Sequence, residues 1–261
     1  MDRAVQITHL NSIMEILGTT KASLWPFVEA EGITVTGLTS GTDLVPAETS
    51  GGAEALEDDF NPMLHPGGVH SYWFNPTGDH HLAGGDHADY SHGDGSTDSA
   101  ASWGAYIIPN AINANTIMSK HDSAGNAEEY RLYIGSSGFL TLELHDASAS
   151  ATEVGVGATA LTLHRGVFVV ATYDGAQAAP EVHLYLNRTD DLEAGTTTET
   201  GSYVAMENTA SPLLIGAGGV TATPLTEFHG RIALPFMTGK ALTSAEVTGL
   251  YNIYADLLGL P

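Results

Sequence analysis

Between Glu128 and Asn187, apolar and polar residues alternate in four short runs: Glu-Glu-Tyr-Arg-Leu-Tyr-Ile, Phe-Leu-Thr-Leu-Glu-Leu-His, Val-Phe-Val-Val-Ala-Thr-Tyr and Glu-Val-His-Leu-Tyr-Leu-Asn. A period of two puts Tyr130, Leu132 and Ile134 on one face, then Leu140, Leu142 and Leu144, then Val182, Leu184 and Leu186. The breaks Gly135-Ser136-Ser137-Gly138 and Asp174-Gly175 supply residues that tolerate positive φ, as tight strand connections require. The pattern predicts an all-β fold, a sandwich of antiparallel sheets in which each strand offers one apolar face to a core.

Other segments extend the picture. Leu24 to Phe27 and Ile33 to Thr36 read as the first strands, His70 to Phe74 and Ser102 to Ile108 as later ones, and Tyr203 to Met206, Leu213 to Ile215 and Phe228 to Met237 as the last. Residues 39–68 are rich in Gly, Ala, Glu, Asp and Pro and read as a long surface loop. Two segments have helical spacing instead. From Arg3 to Leu17, Ile7, Leu10, Ile13 or Met14 and Leu17 recur at helical intervals, with Gly18 placed for a left-handed cap. This helix either packs on the sandwich or serves as an arm that docks on a partner, and residues 1–20 are set apart as that arm from a domain spanning 21–261. Near the other end, Thr243-Ser244-Ala245-Glu246 has the spacing of a capping box, and Val247, Leu250, Tyr251, Tyr254, Leu257 and Leu258 form an apolar stripe, so a helix over 243–258 closes the chain.

Composition narrows the function classes. The 261 residues carry 31 acidic against 8 basic side chains, a formal charge of −23 that repels phosphate backbones and anionic lipid, so nucleic-acid and membrane partners are not expected. No apolar run approaches the roughly twenty residues of a membrane span, and no charged-then-apolar leader opens the chain. Cysteine is absent, which removes disulfides and thiolate metal sites. Such an acidic surface keeps a protein dispersed when it is displayed at high density.

The order of phrases resembles the laminin-G-like, concanavalin A-like lectin and glucanase jelly roll, in the form found in bacteriophage and other virion proteins. The phrases are Leu24-Trp25-Pro26-Phe27-Val28-Glu29, Phe74-Asn75-Pro76-Thr77-Gly78-Asp79-His80, Ser102 to Pro109, and Ile117-Met118-Ser119-Lys120. They continue with Val170 to Gly175, Leu184 to Asn187, Gly230-Arg231-Ile232 and Ala241 to Val247. The resemblance runs from about Leu24 to Tyr251 and implies a jelly-roll sandwich. Two positions depart from it. Ala233-Leu234 replaces the usual acidic residue after Gly-x-Ile, and Asn75 replaces the Asp of a Phe-Asp-Gly strand.

Glucanases of this fold set acidic residues two apart on one strand as Glu-x-Asp-x-Glu, so that nucleophile and general acid share a face. The nearest candidate is Glu143 with His145, which a solvated face opposite the leucines also explains. No Gly-x-Ser-x-Gly elbow, His-Glu-x-x-His pair or phosphate-cradling loop occurs, so an enzyme is not expected. Ligand-type residues are dense between Asp79 and Asp98. Asp86, Asp89, Asp94 and Asp98 with loop carbonyls could hold calcium; His80, His81, His87 and His92 could take zinc or nickel; or the segment is a polar loop whose Asp and His cap turns. Asn113, Asn115, Asp122 and Asn126 are either glycan contacts near a sheet edge or turn formers.

The expectation is a non-enzymatic virion component, a capsid decoration or fibre-like jelly roll assembled in the host cytoplasm. Its expected partners are major capsid or tail proteins and sister subunits. The alternative is a calcium-assisted carbohydrate-binding module that attaches to surface glycans.

Overall fold

In the computed structural model, residues 3–39, 43–47, 55–112, 115–176, 182–221 and 223–260 are described. Their strands form two antiparallel sheets, of nine and ten strands, that face each other across one core. The first sheet runs Thr189–Asp190, Val182–Leu186, Val167–Tyr173, Ala101–Pro109, Gly230–Thr238, Ser23–Leu24 and Leu38–Thr39. The second runs Leu192–Thr200, Ala151–Ala160, Phe139–Asp146, Ala127–Ile134, Asn115–Asp122, Leu213–Ile215, His81–Gly85 and Val45–Ala47. The four alternating runs are strands as expected, but they form two hairpins in different sheets: 127–134 with 139–146 in the second, 167–173 with 182–186 in the first.

The central strands of the first sheet are buried on both faces. Helix α1 (Arg3–Leu17) and helix α3 (Ser244–Leu258) cover its outer side, where Ile13, Leu17, Val247, Leu250, Tyr254 and Leu257 pack with Tyr106, Phe168, Val170, Tyr185 and Phe236. Double burial explains why its strands read as near-continuous apolar runs, such as Val-Phe-Val-Val-Ala-Thr-Tyr. The second sheet has one core face, so Leu132, Leu142 and Leu144 alternate with polar neighbours. Both helix ends follow from local chemistry. Thr243 and Glu246 close the capping box at the start of α3, and Gly18 (φ +79°) and Gly259 (φ +68°) supply the left-handed caps. Helix α1 does not project as an arm. Its Ile13 and Leu17 are fully buried, the Thr238 hydroxyl donates to the Leu17 carbonyl at 2.7 Å, and Val5 and Ile7 at its other end are exposed.

Several expected elements differ. Tyr203 to Met206 is not a strand, because carboxylates capture its amides: Val204 N donates to Asp146 Oδ2 at 3.1 Å and Met206 N to Asp98 Oδ1 at 2.8 Å. Of the first two expected strands, Ser23–Leu24 pairs as two residues and Val35 makes a single bridge to Leu44. Within 39–68 lie the strands Val45–Ala47 and Met63–Leu64 and a short helix α2 (Leu56–Asp59), whose Leu56, with the following Phe60, is buried in the main core. Gly230–Thr238 is bulged between Ala233 and Phe236, with Leu234 at φ +48°. The bulge divides its edge: residues 230–232 pair with His70–Phe74, and 236–237 with Ser23–Leu24.

His92 stands inside the core, its ring edge-on to Trp103 at 5.3 Å and 6.0 Å from Tyr130. Burial, with the positive charges of Lys21 and Lys120, lowers its pKa to about 3. A base whose folded pKa is depressed loses stability as pH falls through the unfolded value of about 6.5, because the unfolded chain takes the proton first. At pH 5 this one residue is expected to have cost about 2 kcal/mol relative to pH 7. Urea midpoints at the two pH values test this: His92→Gln should lose less stability than the wild type, and equal losses would refute the assignment.

Candidate functional site

With the first sheet roofed by helices, the face open for recognition is the outer side of the second sheet. Register decides what it shows. On the paired strands Ala127–Ile134 and Phe139–Asp146, Arg131 lies opposite Glu143 and Tyr133 opposite Thr141, while Leu132 and Leu142 point inward. The pairing of 115–122 with 127–134 slips between Lys120 and His121, so His121 aligns with Glu128 while Lys120 aligns with Tyr130. This bulge at Glu129 lets Glu128 join the outer face and leaves Glu129 buried with Lys120.

The outer face therefore gathers His121, Glu128, Arg131, Tyr133, Glu143 and His145 from three strands. The Arg131 guanidinium donates to Glu143 Oε2 through both Nη2 (2.7 Å) and Nε (3.2 Å), and its Cζ lies 4.1 Å over the Tyr133 ring. His145 Nε2 is 3.6 Å from Glu143 Oε2, and Glu128 approaches His121 Nε2 at 3.4 Å and His145 Nδ1 at 3.9 Å. Burial disfavours the charge on Glu143, but His145 and Arg131 outweigh it and hold the carboxyl at about 2. Burial first, then His145 and Arg131, lowers His121 to about 4. Beside this cluster a groove of about 320 Å³ opens between Tyr133, Ser136, Phe139, Thr141 and Val156.

The loop from Asp79 to Asp98 is built differently. Asp86 Oδ1 pairs with Lys120 Nζ at 2.8 Å, and Asp89 lies 3.7 Å from His87 Nδ1. Asp94 Oδ1 accepts from the amides of Ser96 and Thr97 at 2.9 and 2.7 Å, and Asp98 accepts from the Tyr173 and Tyr203 hydroxyls at 2.7 and 2.6 Å and from Met206 N. Asp86, Asp94 and Asp98 are engaged by separate protein donors, and Asp98 has both oxygens occupied, an arrangement that does not fit a shared calcium cage of six to eight oxygens. Of the four histidines, His81 Nδ1 is 2.8 Å from the Asp79 carbonyl, His80 stacks on Phe60, His87 caps a short 3-10 turn, and His92 is in the core. Among Asn113, Asn115, Asp122 and Asn126, the first lies outside the described residues. Asn115 and Asp122 mark opposite ends of one strand; Asp122 accepts from Gly125 N at 3.0 Å, and Asn126 (φ +50°) shapes the same turn.

Sequence spacing pointed to Glu143 and His145 on one face, and the structure places both in the cluster. His121, Glu128 and Arg131 join it through cross-strand register, for which their own strands carry no signal.

A family model described as the concanavalin A-like lectin/glucanases superfamily matches residues 82–248. The chain belongs to this superfamily. No curated protein matches it in sequence. Among solved structures, this lectin/glucanase-type sandwich is similar to domain 4 of AbnA, an extracellular arabinanase from Geobacillus stearothermophilus, solved in complex with arabinotriose. That likeness has 13% identity and a TM-score of 0.56, and covers 88% of this chain and 97% of that one. It is also similar to a botulinum neurotoxin type C structure whose cell entry is described as dependent on two ganglioside molecules (12% identity, TM-score 0.53, 86% of this chain and 51% of that one). A third likeness is to a Trypanosoma rangeli sialidase mutant (13% identity, TM-score 0.57, 98% of this chain and 38% of that one). These likenesses show the fold.

Beneath the outer face, Lys120 and Glu129 are fully buried and pair at 3.2 Å, with Glu129 Oε1 also accepting from Thr209 N and Oγ1. Lys120→Met removes the cation and leaves the carboxylate uncompensated, a loss of about 3–5 kcal/mol. Adding Glu129→Gln should recover most of it, as read from chemical denaturation, and failure of the double variant to recover would refute the pairing as the cause.

Proposed function

We propose that this superfamily member is a non-enzymatic carbohydrate-binding domain that takes a neutral glycan along the outer face of its second sheet. The observation that carries the reading is the groove beside the Arg131–Glu143 pair. It combines an aromatic wall, Tyr133 and Phe139, with donors and acceptors fixed by their own hydrogen bonds. A sugar ring has an apolar face for such a wall and hydroxyls that both donate and accept, so it fits the pair better than a purely apolar ligand does. Arabinotriose, a neutral oligosaccharide, on one structural neighbour supports the ligand class. The formal charge of −23 opposes sialylated or sulfated chains and favours neutral ones. Glycoside hydrolysis needs one carboxyl that keeps its proton, and His145 and Arg131 hold Glu143 ionised, so Glu143 does not fit the proton-donor role.

A glycan array is expected to give reproducible binding to neutral oligosaccharides. Tyr133→Ala should weaken it at least about tenfold, the equivalent of about 1.4 kcal/mol, with the circular dichroism unchanged. Wild-type protein that binds no glycan, or a Tyr133→Ala variant that binds equally well, would overturn the reading.

The setting we propose is the surface of a tailed-virus particle, where the domain is held by capsid or tail proteins. The virion-type phrases of the sequence and the acidic, cysteine-free composition support it. The exposed Val5 and Ile7 at the free end of α1 are the attachment surface this reading selects. Replacing both with Asp should leave the melting temperature within a few degrees and abolish co-sedimentation with particles; retained co-sedimentation would remove this attachment.

A further inference from the structure

The groups on the outer sheet face do more than frame a groove. His121, Glu143 and His145 bring one donor atom each within 4.8 Å of one another, the one such gathering of metal-ligating side chains among the described residues. Two ligands on one tetrahedral zinc ion, at bonds of 2.0–2.1 Å, stand about 3.3 Å apart. The contact between His145 Nε2 and Glu143 Oε2, 3.6 Å, is already near that spacing, and it is too long for a hydrogen bond. His145 Nε2 is buried and has no hydrogen-bond partner, though its residue is 7% exposed and lies beside a carboxylate. The His121 and His145 rings lie edge to face, with centroids 4.8 Å apart and planes at 71°, so both imidazoles border the same small volume.

We propose that His121, Glu143 and His145 form a binding site for a zinc-type divalent ion, independent of the glycan reading. Two imidazole nitrogens with one carboxylate match zinc and its neighbours and do not match calcium or magnesium, which take oxygen. The surrounding groups have defined parts. Glu128, within 3.9 Å of both imidazoles, adds a further carboxylate beside them. Arg131 directs both its hydrogen bonds to Glu143 Oε2, which fixes the plane of the carboxylate. With three protein ligands, the fourth position belongs to water or to a ligand oxygen. Arg131 is also a positive charge beside the site, so it limits affinity while it orients Glu143.

The test is calorimetric titration of the full chain with ZnCl2 at pH 7, alongside His145→Gln, His121→Gln and Glu143→Gln, with CaCl2 as the second probe. Because the chain has twelve histidines, the readout is the difference between wild type and variant. The expected result is one equivalent of zinc in the wild type, weakened about ten- to a hundredfold in each variant, with no heat from calcium. Zinc should also raise the wild-type melting temperature and leave that of His145→Gln unmoved, a measurement that stands even if one variant folds poorly. A wild type that binds no equivalent of zinc, or variants that bind as tightly because the ion rests on other histidines, would overturn the site. Equal response to calcium would overturn its chemistry.

Discussion

The architecture depends on one asymmetry of burial. Two amphipathic helices need apolar surface, and the outer face of the first sheet supplies it through Tyr106, Phe168, Val170, Tyr185 and Phe236. Tyr254 joins the layers twice, with its ring 4.5 Å from Phe168 and its hydroxyl donating to the Leu234 carbonyl at 2.5 Å. Where that sheet is enclosed, a charge would be desolvated between two apolar layers, and its exposed ion pair, His183 with Asp190, lies on the two strands at its edge. The second sheet keeps a solvent-facing side, and the ionisable side chains of the chain's centre collect there.

That constraint explains what the sequence made legible. Leu140, Leu142 and Leu144 alternate cleanly because their strand has one wet and one dry face. The capping box and the two terminal glycines are local devices, so α1 and α3 could be read nearly to the residue. Ala151–Ala160, by contrast, is Ala-Thr-Glu-Val-Gly-Val-Gly-Ala-Thr-Ala, with too little bulk to show a period, and its strand character comes from lying between 139–146 and 192–200. Gly155 has a reason in the fold: a Cβ there would come within 2.7 Å of Val182 in the opposite sheet.

The cluster on the outer face was half legible. Glu143 and His145 announce a shared face by their spacing of two. His121 lies 22 residues earlier, and its arrival beside them depends on a one-residue slip in the pairing of its strand. The same slip separates Glu128 from Glu129, so that of two adjacent and chemically identical side chains one faces solvent near two imidazoles and the other neutralises a buried lysine. Composition and periodicity treat the two alike. In the acidic loop, density in sequence suggested convergence, yet Asp94, Asp98 and Asp86 each have a separate protein partner, an amide, a hydroxyl or an ammonium.

The ionisation state of Glu143 bears directly on the binding role proposed for this face. A hydrolase on this fold must keep one carboxyl protonated near neutral pH, which takes an apolar pocket without cations. Burial around Glu143 pushes in that direction, but His145 and Arg131 press harder the other way and hold its carboxyl well below the usual carboxylate range. A fixed anion tethered to a guanidinium is poor at donating protons and good at holding a geometry. The arginine that locks it also covers one side of Tyr133, so the groove's aromatic wall, its polar pair and the imidazoles are linked through a single side chain. A change at Arg131 therefore propagates to all three, which is why the separate roles of this face are resolved at Tyr133 and at His145 rather than at the residue between them.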